Sequence, residues 1–141
     1  MGRFNYIPLL ALLTVQLFIP EKLEAQVELF PLHAVQLHDS PFRQAQEVDL
    51  RYILSLDEDR LLFPFYREAG IKTDIKPYGN WENTGLDGHI GGHYVSALSN
   101  MYAATKNEEV HKRLNYMIDW LDSCQRRNGD GYVGGVPGGK A

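Results

Sequence analysis

Residues 92–129 read GHYVSALSNMYAATKNEEVHKRLNYMIDWLDSCQRRNG, and this stretch decides the fold. From Gly92, the residues Tyr94, Ala97, Leu98, Met101 and Tyr102 recur at three and four positions, the spacing of a helix with one apolar face. Lys106-Asn107 is a short connection. Glu108 and Glu109 then open a second helix at its positive end, and Arg126 and Arg127 close it at its negative end. Val110, Leu114, Met117, Leu121 and Cys124 form its inner line, flanked by Ile118 and Trp120, and Asn128-Gly129 terminates it. Two long helices joined this tightly make an antiparallel αα-hairpin. One hairpin cannot bury both of its apolar faces, so it calls for further hairpins to pack against.

Immediately upstream, residues 78–94 (YGNWENTGLDGHIGGHY) hold five glycines, two histidines, Trp81, Glu82 and Asp87. This stretch has neither a helical nor a strand period, so it reads as a loop that leads into the first hairpin helix. Glycine admits positive φ and the close approach of a ligand, and loops of this composition are common places for binding. Trp81 and Tyr78 offer flat apolar faces, Glu82 and Asp87 offer acceptors, and His93, at the start of the helix, can donate to a sugar hydroxyl. That combination suits a small polyhydroxy ligand. Two other readings stay open. His89 and His93 have the H-x-x-x-H spacing of a metal pair, although no glutamate follows the first histidine and a third ligand would have to be found, with Asp87 the nearest candidate. Glu82 or Asp87 could equally cap the helix or pair with a backbone amide. Glycoside hydrolysis needs two carboxyls across the bond, and nothing in the spacing selects a pair.

Further towards the N-terminus, Asp57-Glu58-Asp59 caps a short helical turn, Arg60 to Phe63, which Pro64 limits, and Gly70 ends the segment that follows. Asp39-Ser40-Pro41 starts an earlier helix whose apolar residues gather in its second half, Val48 to Leu56. Residues 27–38 read as an extended lead-in, with Val35 and Leu37 alternating with Gln36 and His38 as in a short half-buried strand. His33 and His38 read as surface or packing residues. Residues 1–25 resemble a secretory signal peptide: Arg3, an apolar run from Ile7 to Ile19, then a polar patch ending at Ala25. Leu23 is larger than such a cleavage site prefers. The apolar run is short for a bilayer span, so no stable membrane anchor is expected, and the location is secreted or periplasmic.

The 141 residues have a globular composition and a net charge of −4, which removing residues 1–25 leaves unchanged. There is no basic footprint for a nucleic acid partner. One cysteine excludes an internal disulfide framework. Cys124 lies on the buried stripe of its helix, an inert core thiol. Tyr132, in the glycine-rich stretch after the hairpin, could line the same cleft as the loop. The ending GGVPGGKA is a loop sequence, which with the unpaired hairpin faces suggests a piece of a longer domain.

Four ordered blocks resemble a known family: DSPFRQAQE from Asp39, LDEDRLL from Leu56, GLDGHIGGHY from Gly85 and GDGYVGG from Gly129. They are similar to the N-terminal part of secreted β-L-arabinofuranosidases of glycoside hydrolase family 127 and its relative, family 146. The resemblance implies a mainly α fold, the opening helical hairpins of an (α/α)6 barrel occupying residues 26–141. It implies release of terminal β-L-arabinofuranose with retention, from an arabinose-containing plant glycan or glycoprotein oligosaccharide. It also implies a cysteine nucleophile, a glutamate acid/base and a zinc ion in the full-length enzyme, all on later motifs. No catalytic residue, metal ligand or cofactor is therefore expected in this stretch, and Cys124 does not match the nucleophile. The resemblance makes His93 a sugar contact, with Trp81, Asp87 and His89 as neighbouring substrate-binding candidates. The alternative is a small secreted helical module that binds carbohydrate or protein without catalysis.

Overall fold

The structure, a computed structural model, describes residues 28–140. The signal-peptide reading of residues 1–25 lies outside the described residues. Four α-helices follow one another: α1 (Pro41–Ser55), α2 (Glu58–Glu68), α3 (His89–Thr105) and α4 (Glu108–Asn128), with no strand among the described residues. The mainly α architecture of helical hairpins is the expected one.

Local chemistry sets most of the boundaries. Ser40 Oγ accepts from the Arg43 amide at 3.3 Å and Pro41 takes the first helical position. Asp57 Oδ1 accepts from the amides of Asp59 (3.1 Å) and Arg60 (3.2 Å) to open α2. At the other end of α2, Gly70 adopts φ +67°. There the Ile71 amide reaches back to the Tyr66 carbonyl at 2.8 Å and the Gly70 amide to Arg67, the double bond of a Schellman close. Asn107 Oδ1 caps α4 through the amides of Glu109 and Val110, and Gly129 closes it at φ +78°. The two-residue link Lys106-Asn107 leaves α3 and α4 side by side as the expected hairpin.

The core lies where α2 packs on that hairpin. Leu61, Leu62, Phe65 and Tyr66 of α2 meet Tyr94, Leu98 and Met101 of α3 and Val110, Met117 and Cys124 of α4. The helix α1 contributes Ile53 near its C-terminal end, while Phe42, Val48 and Tyr52 stay exposed. A polar tie secures that end. Arg113 of α4 donates to the Leu56 carbonyl at 2.7 Å and to the Tyr94 hydroxyl at 3.3 Å, which itself donates to the Ile53 carbonyl at 3.1 Å.

Three local expectations are corrected. Pro64 does not limit a short turn at Phe63; it sits inside one continuous helix, α2. Its ring removes a helical hydrogen bond, at about 3 kcal/mol. Burying Leu61, Leu62, Phe65 and Tyr66 on both sides of it returns about 1.5–3 kcal/mol each, so packing wins. Val35 and Leu37 form no strand: a 3-10 turn at Leu32–Ala34 precedes them, and Val35 is exposed. Alternation over so few residues cannot hold a strand without a ladder partner. Finally, α3 starts at His89, not at Gly92. The reason lies in the glycine loop.

Candidate functional site

The loop between α2 and α3 contains a 3-10 turn at Asn80–Asn83, which carries Glu82 inward. Glu82 is 3% exposed. Its Oε2 accepts from the Gly88 amide at 3.0 Å and its Oε1 from the Ile90 amide at 2.7 Å. These are free donors at the positive end of α3, so a carboxylate reaching in from six residues upstream caps the helix and lets it begin at His89. Gly88, the residue before the helix, has φ +85° and packs close to Phe65 and Gly135. Gly91 lies inside the helix because Phe65 and the Leu61 carbonyl leave no room for a side chain. The glycines thus serve close packing against α2 at least as much as conformational freedom.

This cap fixes the two histidines. His89 and His93 fall on adjacent turns of α3, both exposed, with ring centroids 4.5 Å apart and the rings edge to face. His93 is on the second turn, not the first, since the helix starts earlier than its sequence indicates. Trp81, 61% exposed, stands 6.4 Å from the His89 ring. Trp81, His89 and His93 therefore form one exposed row of an indole and two imidazoles. Trp81 also lines a groove of about 480 Å³ with Tyr52, Tyr78, Leu56, Leu61 and Ile90.

Asp87 is placed differently from these three. It is 3% exposed and its Oδ2 accepts from Arg67 Nη1 at 2.8 Å, while Oδ1 accepts from the Gly85 amide at 3.0 Å. Burial pushes this carboxyl up, but the Arg67 hydrogen bond and charge and the Gly85 amide outweigh it and hold it below the usual aspartate range. Both acidic residues of the loop are spent on its own architecture, the second of the roles left open by the sequence. Arg67 itself gave no sequence signal beyond a basic residue in the last turn of a helix.

Among the described residues no group of three or more His, Cys, Asp and Glu is placed to hold a metal ion. The exposed pair His89/His93 faces the positive end of α3, an unfavourable place for a cation. Cys124 is 1% exposed and burial pushes its thiol up, as expected of a core thiol. Tyr132 packs over Gly134 and Gly139 of its own loop, and its carbonyl accepts from Asn128 Nδ2 at 3.0 Å.

Two predictions arise from this loop. Glu82→Gln keeps the shape but offers one oxygen to two amides and removes the charge at the helix end. It should cost about 1.5 kcal/mol, read as a shifted denaturation midpoint. For Asp87, the folded pKa lies below the unfolded one, so its contribution is present at neutral pH and is lost as pH falls through the folded value. The stability difference between the wild type and Asp87→Asn should be constant from about pH 7 to 5 and shrink below about pH 4.

Residues 34–141 match the model described as beta-L-arabinofuranosidase, GH127 catalytic domain. The match spans most of the chain, and the chain belongs to this family of glycoside hydrolases. A search of curated proteins finds no match. No helix among the described residues is long and apolar enough to cross a membrane.

Proposed function

We propose that these residues form the opening hairpins of an (α/α)6 barrel in a secreted or periplasmic hydrolase that releases terminal β-L-arabinofuranose with retention. The family match supports the hydrolase class and a carbohydrate substrate. The observation that carries the local role is the row Trp81, His89 and His93, held in place by Glu82. An indole face takes the C–H face of a sugar ring, and two imidazoles beside it exchange hydrogen bonds with hydroxyls. Glu82 and Asp87 are buried in amide and guanidinium contacts, which leaves neither free to serve as acid or nucleophile. The bond-breaking groups, a zinc-bound cysteine among them, come in this reading from elsewhere in the domain. This part supplies substrate-binding wall.

The test is hydrolysis of 4-nitrophenyl β-L-arabinofuranoside by the intact gene product that contains these residues. Activity is expected there, with KM raised about tenfold in His93→Ala, the worth of one lost hydrogen bond. The 141-residue chain alone should be inactive. Hydrolysis by that chain overturns the assignment of this part as wall only. Sugar binding without hydrolysis by the intact product favours a non-catalytic carbohydrate-binding module.

A further inference from the structure

We infer that Arg67, outside the row itself, is a positioning residue that sets the sugar site by locking two loops together. The inference rests on the reading of Trp81, His89 and His93 as sugar contacts.

All three guanidinium nitrogens of Arg67 are engaged, two of them with other segments and one with the next residue of its own helix. Nη1 donates to Asp87 at 2.8 Å, in the loop that runs into His89. Nη2 donates to the Gly135 carbonyl at 2.8 Å, in the glycine-rich loop after α4. Nε donates to Glu68 Oε1 at 2.8 Å, and the other oxygen of Glu68 accepts from the Gly138 amide at 3.0 Å. Arg67 thus grips the post-α4 loop directly at Gly135 and indirectly, through Glu68, at Gly138. The two loops also touch each other. The absence of a side chain at Gly135 is what lets its backbone lie against Pro64, the Asp87 carbonyl and Gly88. Gly88 is the residue immediately before His89.

A planar fork with fixed donor directions holds the Asp87 carboxylate and the Gly135 carbonyl in one geometry, which a compact ammonium on a flexible stem does not impose. The Asp87 side chain is 2% exposed and that of Glu68 is 12% exposed, while that of Arg67 itself is 36% exposed, so the two carboxylates are held away from water and the guanidinium keeps one open side. Charged hydrogen bonds that hold a loop in such a setting limit how far it moves. The consequence is that the loop after α4 is fixed against Asp87 and Gly88, at the residue immediately before the histidine row begins. Displacing either loop misplaces sugar contacts without touching a bond-breaking group, so the effect belongs in substrate binding.

The experiment is steady-state hydrolysis of 4-nitrophenyl β-L-arabinofuranoside by the intact gene product, with Arg67→Met, Arg67→Lys and His93→Ala, each measured well below its own Tm. Arg67→Met should raise KM about tenfold with kcat within about threefold, the pattern of lost ground-state and transition-state binding together. Arg67→Lys, which keeps the charge and reaches one acceptor, should raise KM about threefold. A lowered Tm with unchanged KM overturns the inference, because a purely structural brace gives that result. So does a fall in kcat without a rise in KM. If Arg67→Met does not fold, Arg67→Lys decides alone: an unchanged KM in that folded variant overturns the inference. A raised KM in His93→Ala with no response at Arg67 removes the positioning role and leaves the sugar-site reading intact. An unchanged KM in His93→Ala, or no hydrolysis by the wild type, removes both.

Discussion

Gly135→Ala is expected to lower the stability of the chain by about 3 kcal/mol, the upper range for forcing atoms into a filled space. The added carbon would meet Pro64 Cβ at 2.6 Å, the Asp87 carbonyl oxygen at 2.9 Å and Gly88 Cα at 2.9 Å. Two of those atoms are backbone and the third belongs to a proline ring, so no flexible side chain can swing aside. Relief must come from lifting the whole loop off α2, which stretches the Arg67 bond to Gly135. Gly79→Ala is the matched control: a carbon there meets nothing within 4 Å, and φ is −81°. It should change stability by less than about 0.5 kcal/mol. Urea denaturation of the two variants gives the comparison directly. Equal midpoints would mean that Gly135 does not lie against Pro64 and Gly88 in solution.

Leu98→Ala should cost about 3–4 kcal/mol and lower Tm by about 12 °C. Leu98 is 0% exposed, in the middle of α3, in a core with Leu62, Val110 and Met117 that are equally buried. A cavity there has neighbours on α2 and α4 as well as α3, and none of them can collapse into it without moving a helix. Ile118, on α4 but 46% exposed, is the contrast. Its truncation to alanine should cost less than about 1 kcal/mol in the 141-residue chain. A large loss at Leu98 with a small one at Ile118 separates the core face of α3 from the exposed face of α4, and thermal unfolding followed by circular dichroism reads both.

The hairpin was legible because every signal for it is local. Asn107 caps through amides two and three residues away, Gly129 closes α4 in its own turn, and the apolar lines of both helices repeat at helical spacing. Ser40 and Asp57 were legible for the same reason. What the residues did not disclose depends on distant partners. Pro64 looks like a helix limit until Leu61, Leu62, Phe65 and Tyr66 are seen to be buried on both sides of it. The two glycines between the histidines look like loop until Glu82 is seen capping α3 from upstream, which moves the helix start to His89. The alternation at Val35 and Leu37 looks like a strand, but it has no ladder partner and follows a 3-10 turn.

The site was half legible. Trp81, His89 and His93 do come together on one exposed row. Asp87, grouped with them by proximity in sequence, turns inward to Arg67, a residue twenty positions away. Glu82 and Asp87 illustrate why: an acidic side chain beside a histidine in sequence carries no information about which of several amides or cations it will satisfy when buried. Burial decides that, and burial is a property of the whole packing.

The single thiol of the chain has a use that follows from its place in the core. Cys124 is 1% exposed on α4 and burial disfavours its thiolate, so an alkylating reagent reaches it only when α4 lifts away. At neutral pH the labelling rate of the native chain then counts openings of the hairpin, a clock for local unfolding that needs no denaturant. If only global unfolding exposes it, Leu98→Ala should speed labelling by about two to three orders of magnitude, since each 1.4 kcal/mol is tenfold. If α4 detaches as a separate unit, labelling runs faster than global stability allows, and the chain carries its own gauge of how loosely that helix is held.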